Sequence, residues 1–206
     1  MGTVERKERE RAELKELILL KAKEILLTYG HEGLSIRKIA TEIEYSPATI
    51  YLYFKDKDDI LHELMEIGFK LLGDYMKEVF QESDPVMKIY LTGKAYIRFG
   101  LENKDWYDLM FNSDKPMKHI EKCGTDWDEG MQMFEFLVHN CDMAMQQLQI
   151  KNVEPRILAL HLWSCVHGLV HLAQTERLEI VERDNATTLI SKTLDSMLIC
   201  IFGQTF

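Results

Sequence analysis

Apolar residues recur at helical spacing along almost the whole chain. Leu14, Leu17, Ile18, Ala22, Ile25 and Leu26 trace the i, i+3, i+4, i+7 stripe of an amphipathic helix. No segment alternates with the period of a strand in a convincing way. A chain patterned like this buries its apolar stripes by laying helix against helix. Composition agrees, since 11 Gly and 4 Pro in 206 residues are few for a protein of many short strands and turns. An apolar share of 46% with 29% charged residues excludes general disorder. No run of eighteen apolar residues occurs, so no membrane-spanning helix is expected. Met1 to Arg11 is dense in Glu, Arg and Lys and lacks the apolar core of a secretory signal. Cys123, Cys141, Cys165 and Cys200 are widely spaced and form no C-x-x-C pair. That spacing argues against a zinc ribbon and for a reduced, cytoplasmic protein.

The formal charge of −9 is unevenly placed. Residues 1–61 hold 11 Lys+Arg against 12 Asp+Glu, which leaves 14 against 22 for residues 62–206. The acidic excess belongs to the C-terminal part, and an N-terminal nucleic-acid module is not excluded.

Local punctuation places about nine helices. Gly30 supplies the left-handed residue that ends the first. Ser35 can N-cap a short helix that buries Ile39, Ala40 and Ile43. After a break at Glu44 and Tyr45, Ser46-Pro47 reads as an N-cap with proline at the first helical position, and that helix runs to about Phe54. Asp56 caps the next helix, with Asp59 where a capping-box acid sits. Ile60, Leu61, Leu64, Ile67, Leu71 and Tyr75 trace its face. Asp84-Pro85 starts another. Residues 103–125 are the least regular stretch, with a short helix near Trp106 to Met110. Helices then follow from Asp126 to about Leu148, Pro155 to about Leu178, and Asn185 to Phe202. The class is all-α.

Ser35 to Phe54 has the form of a helix-turn-helix. Pro47, Ala48 and Thr49 are small enough at the start of the second helix to let it approach base edges, and Thr49 offers both a hydroxyl and a methyl. Tyr51, Tyr53, Lys55, Lys57 and Arg37 suit phosphate contacts, which position without reading sequence. Pattern alone equally allows a plain helical hairpin with buried tyrosines. The run Glu8, Glu10, Glu13 and Glu16 among Arg6, Lys7, Arg9 and Arg11 reads as a solvated face of i, i+4 pairs or as an arm that grips phosphate.

Gly33-Leu34-Ser35-Ile36-Arg37-Lys38-Ile39-Ala40, followed by Ser46-Pro47-Ala48-Thr49-Ile50-Tyr51-Leu52-Tyr53-Phe54-Lys55-Asp56-Lys57-Asp58-Asp59-Ile60-Leu61, resembles the N-terminal domain of the TetR family of bacterial repressors. The resemblance covers residues of about 10–62. It implies a one-component transcription regulator: a homodimer that binds a palindromic operator and is released when a small molecule enters the C-terminal domain. It further implies a DNA-binding domain over 1–56 and a ligand-binding and dimerisation domain over 57–206. Arg37, Pro47, Ala48, Thr49, Tyr51, Tyr53 and Lys57 fall on positions the family uses for DNA contact, with Lys55 added from its charge and place. Where the family has glycine at the turn, this chain has Glu44, which either strains the turn or marks a different turn geometry.

Beyond residue 62 the motifs thin out. Trp163-x-x-x-His167-Gly168-Leu169 is similar to the Trp-His-Gly signature of one C-terminal subgroup. Tyr96, Phe99, Trp106, Met131, Phe134, Trp163 and His167 are the candidate lining of a pocket for an apolar or aromatic effector. His161, His167 and His171 lack the further ligands a zinc site needs, and no Glu-x-x-His pair occurs, so neither a metal nor another cofactor is expected. His167 reads as a core or pocket histidine bonded to a neighbour. With no Gly-rich phosphate loop and no G-x-S-x-G, an enzyme is not expected. The helices from Pro155 and Asn185 are apolar on more than one face, which predicts a four-helix dimer seam. The alternative to a ligand-released repressor is a helical small-molecule binding protein that has lost operator binding.

Overall fold

The computed structural model describes residues 3–112, 128–181 and 185–203. Ser113, Asp114, Pro116, Cys123, Gly124 and the helix start expected at Asp126 lie outside them. The described residues form ten α-helices and no strand. These are α1 (Thr3–Gly33), α2 (Ile36–Glu42), α3 (Pro47–Ile50), α4 (Lys57–Tyr75), α5 (Pro85–Glu102), α6 (Lys104–Tyr107), α7 (Asp128–Leu148), α8 (Pro155–Gln174), α9 (Arg177–Val181) and α10 (Ala186–Phe202). A 3-10 turn at Val79–Gln81 and a π-helical turn at Asp108–Asn112 complete them. Two compact units result: residues 3–67 with 108–112, and residues 68–107 with 128–203.

In the first unit, α1 buries Ile18, Ala22 and Ile25, while Leu17 is 39% exposed at the edge of the stripe. Gly30 breaks the helix with φ +64°, a conformation nearly free of steric cost for glycine alone. Each expected cap is present. The Lys38 N–H donates to Ser35 Oγ (3.2 Å) at the head of α2. The Asp59 N–H donates to Asp56 Oδ1 (2.9 Å), and Asp59 Oδ2 accepts from the Lys55 N–H (2.9 Å). The first bond satisfies an amide that α4 leaves open at its start, and the second ties down the chain leading into it.

The face of α4 departs from the expected stripe. Ile60, Leu61 and Leu64 are buried, but Ile67 is 37% exposed, and Met65, Phe69 and Leu72 are buried in its place, with Met76 buried just past the helix end. The apolar stripe therefore moves around the helix where the chain passes from one unit to the next.

In the second unit α5, α7 and α8 pack on one another, with α10 against α5 and α8. Asp84 caps α5 by accepting from the Val86 N–H (3.3 Å). Two glycines on α5 permit the close approach. A Cβ on Gly93 would lie 3.1 Å from a Leu194 methyl, and one on Gly100 would lie 2.5 Å from a Val170 methyl. Helix α8 stops at Gln174, short of the expected Leu178, because Glu176 turns the chain with φ +57° and α9 starts afresh.

Although it holds no unbroken run of eighteen apolar residues, α8 is long and apolar enough by length and composition alone to cross a membrane. Its packing explains the apolarity. Leu158, Leu162, Val166, Leu169 and Val170 face the unit's core, while Ile157 and Leu160 (each 48% exposed) and Leu172 (38%) form a second, outward stripe. Leu169 and Leu194, on the two helices expected to form an intersubunit seam, are buried within the chain itself.

Candidate DNA interface and effector cluster

Helix α3 is only four residues long, too short to hold itself together. Its sequence supplies the missing support at both ends. Ser46 Oγ accepts from the Thr49 N–H (3.2 Å) and lies 3.0 Å from Thr49 Oγ1, and Pro47 presets the first turn. Beyond Ile50 the turns continue through bonds from the Tyr53 and Phe54 amides to the Ile50 carbonyl. Ile50 and Phe54, one turn apart, are 0% and 2% exposed. Burying each contributes about 1.5–3 kcal/mol to holding the element down.

With that face anchored, the other faces outward. Pro47, Ala48, Tyr51 and Lys55 are exposed, Thr49, Tyr53 and Lys57 are half-buried, and Arg37 is exposed on α2. A plain hairpin would bury its tyrosines. Here Tyr51 is 57% exposed and Tyr45 48%. Sequence reasoning did not single out Tyr45 or Leu52, yet both stand beside these residues, and Leu52 is 72% exposed. A bulky apolar side chain kept in water at this place was the available signal.

The turn itself is left-handed at Glu44, with φ +59°. Its amide donates to the Thr41 carbonyl (3.2 Å) and the Tyr45 amide to the Ala40 carbonyl (2.9 Å), a helix-ending arrangement built for glycine. Of the two possibilities for the glutamate, strain in the ordinary turn is the one observed.

Beside α3 runs an open groove of about 800 Å³ lined by Lys7, Glu10, Arg11, Glu13, Leu14, Leu17, Tyr45, Leu52 and Tyr53. The Arg11 guanidinium stands 5.8 Å from the centre of the Tyr53 ring.

The second unit holds a chain of polar aromatic groups. Trp163 Nε1–H donates to Tyr96 Oη (3.1 Å), and the Tyr96 hydroxyl donates to Tyr107 Oη (3.2 Å). Tyr107 Oη lies 2.6 Å from His167 Nδ1, and Tyr96 Oη lies 3.2 Å from the same nitrogen. Trp163 can only donate, so a consistent direction runs from the indole through both phenols to His167, whose Nδ1 then accepts. Tyr107 stacks on His167, with centroids 5.4 Å apart and planes at 24°. Burial lowers the His167 pKa, and the nearby His171 lowers it further. Burial also raises the Tyr96 hydroxyl well above its ordinary value. Both shifts favour the neutral form of the group concerned.

Of the candidate effector residues, Tyr96, Trp163 and His167 come together here, and Phe134 lies against Trp163 at 5.8 Å. Phe99 is fully buried, edge-on to Tyr75 (5.6 Å). Trp106 is buried on α6, and Met131 is 44% exposed on α7. Tyr107 was not among the candidates, although it contributes the shortest bond of the cluster. Its sole signal was membership of an aromatic-rich stretch. Among the described residues no group of three His, Cys, Asp or Glu is placed to hold a metal ion.

Comparison with known proteins matches two family models to the chain. Residues 18–64 match the bacterial regulatory proteins of the tetR family, and residues 89–197 match the tetracyclin repressor-like C-terminal domain. An uncharacterised HTH-type transcriptional regulator of Haemophilus influenzae is 27% identical over 123 residues, 56% of this chain. The match spans 66% of that relative, just under two thirds of its length. Among solved structures, a TetR/AcrR-family regulator from Thermobifida fusca is similar at a TM-score of 0.67 and 18% identity, covering 90% of this chain and 97% of that one. The transcriptional regulator FadR of Bacillus subtilis, in complex with stearoyl-CoA, is similar at 0.66 and 16%, covering 90% and 97%.

Proposed function

Because the chain belongs to the TetR family of transcriptional regulators, we propose that it is a ligand-responsive repressor, a homodimer that leaves a palindromic operator when a small molecule binds its C-terminal domain. The observation that carries this reading is α3. It is anchored by Ile50 and Phe54 and turns Pro47, Ala48 and Tyr51 to solvent, with Thr49 half-buried at its first turn. In that role Thr49, Ala48 and Pro47 meet base edges, and Arg37, Tyr51, Tyr53, Lys55 and Lys57 hold phosphates. Residues 1–56 then serve as the DNA reader, and residues 57–206 bind the effector and pair the subunits.

Pairing is supported by the outward apolar stripe of α8 and by Ile199 on α10, which is 39% exposed. Two copies joined there about a two-fold axis would set two α3 helices against major grooves about one helical turn, or a multiple of it, apart. The aromatic cluster of Tyr96, Tyr107, Trp163 and His167, with Phe134 beside it, is the proposed contact for an effector with an apolar or aromatic body. The acyl ligand of FadR supports an apolar body. Switching runs along α4, one continuous helix that leaves the first unit and enters the second. A ligand shifts operator affinity only if it binds one arrangement of this helix better than the other.

A second reading has Glu44 in its favour. An exposed acid in the turn beside α3 repels phosphate, as expected of a helical ligand-binding protein that no longer binds an operator. Gel shift against DNA from upstream of the protein's own gene separates the two. A retarded band that weakens with salt supports the repressor, and no band at any salt concentration rejects it.

A further inference from the structure

The first three turns of α1 carry charges that the helix-turn-helix does not account for. Their pairing sorts them into two sets. Arg6 Nε–H donates to Glu10 Oε1 (2.7 Å), and Arg9 Nε lies 3.7 Å from Glu13 Oε1, so these acids are neutralised one turn away along the helix. Lys7 and Arg11 form no such pair among the described residues. They too are one turn apart, and both line the groove beside α3, whereas Arg6 and Arg9 do not. Across the groove stand Tyr45 and Tyr53, phenols at either end of α3, with Arg11 over the Tyr53 ring. Two cations without a carboxylate partner among the described residues and two phenols thus flank one opening beside α3.

We propose that this groove receives the phosphate backbone of duplex DNA flanking the bases that α3 reads, with Lys7 and Arg11 as the cations and Tyr45 and Tyr53 as hydroxyl donors. The inference rests on the DNA-binding reading and extends it to a part of the chain outside the helix-turn-helix. Charge complementarity carries it. Glu10 and Glu13 also line the groove, but each has an arginine beside it along the helix, whereas Lys7 and Arg11 have no carboxylate partner among the described residues. Such contacts release counterions without reading sequence, so their signature is the salt dependence of binding.

The test uses the full-length protein and a labelled duplex of about 40 base pairs from upstream of its own gene, titrated between about 50 and 200 mM KCl. Each lost phosphate contact makes the slope of log K against log salt shallower by about 0.9, so Lys7→Ala/Arg11→Ala in a dimer should flatten it by up to about 4 and weaken low-salt binding by about tenfold or more. Arg11→Lys should keep most of the slope. Lys77→Ala/Lys151→Ala removes the same charge from exposed cations of the second unit, outside the groove, and its slope should stay near that of the wild type. An unchanged slope in Lys7→Ala/Arg11→Ala, with the wild type still binding, overturns the groove and leaves the repressor standing. Equal flattening in the two double variants also overturns it, since net charge alone would then explain the loss. A wild type that binds no duplex rejects the repressor reading, and this inference falls with it.

Discussion

Replacing Glu44 by glycine should do two separable things. The residue sits at φ +59°, where a Cβ crowds the following carbonyl at about 1–2 kcal/mol for an L-residue. Glycine removes that crowding but gives the unfolded chain more freedom, which costs about 0.4–1 kcal/mol. The net gain is therefore about 0.5–1 kcal/mol, or a Tm rise of about 1–4 °C for a chain of this size at fixed protein concentration. Both backbone bonds of the turn, from the Glu44 and Tyr45 amides, are retained. The second effect is on DNA. A charge about 10 Å from a phosphate in water repels it by about 0.4 kcal/mol before salt screening, and removing one from each protomer should tighten operator binding a few-fold. Glu44→Gln isolates the charge, since it keeps the strained Cβ. The assay is thermal unfolding and operator titration of wild type, Glu44→Gly and Glu44→Gln. Glycine alone should raise Tm, and both variants should bind more tightly. Equal Tm in the two variants would refute the strain argument. Unchanged affinity in both would place the turn away from phosphate.

Thr49→Ala should relax preference at one operator position by about 1–3 kcal/mol, whereas Tyr51→Ala and Lys57→Ala should weaken binding to all sequences alike; a panel of single-base operator variants tells these apart. Leu160→Glu, on the outward stripe of α8, should give a folded monomer with much weaker operator binding in sedimentation and gel shift. Leu194→Glu should instead unfold the chain, because Leu194 is 2% exposed within it. Gly100→Ala places a Cβ 2.5 Å from Val170 and 3.1 Å from the Tyr107 ring, so it should destabilise by about 1–3 kcal/mol in urea titration. His167 has a folded pKa below its unfolded value of about 6.5, so the unfolded chain binds the extra proton first. Stability should be full above that pH and fall as pH drops through the interval between the two values. The difference in urea midpoint between wild type and His167→Gln should then shrink on acidification from about pH 7.5 to 5.

The parts of the fold legible in the sequence are those whose physics is local. Gly30, Ser35, Ser46-Pro47, Asp56 with Asp59, and Asp84-Pro85 each do their work within four residues, and each stands where the sequence places it. The place of the candidate DNA-contact residues is legible for the same reason, since those from Arg37 to Lys55 lie on two short helices and the turns that bound them, and Lys57 opens α4. Faces are harder. On α4 the set Ile67, Leu71, Tyr75 and the set Met65, Phe69, Leu72 are both spaced for a helix. Which set is buried depends on the neighbours, and those are set by the rest of the chain. The apolar excess of α8 was legible, but not its division into an inward stripe that takes Leu169 and an outward one that takes Leu160.

The cluster of Tyr96, Tyr107, Trp163 and His167 marks the far end of that scale. Its bonds join residues 11, 60, 67 and 71 positions apart, so no spacing rule links Tyr107 to His167 before α5, α6 and α8 are packed. Gly100 is what brings them close, because any side chain there would meet both Val170 and the Tyr107 ring. A glycine inside an apolar helix is therefore the sequence mark of the site, weaker than a motif but physical in origin. The same reasoning separates the two halves of the proposed mechanism. Phosphate gripping can be read one residue at a time. The effector's place depends on a packing event, and a single methyl group at position 100 should disturb it while leaving α3 and its caps untouched.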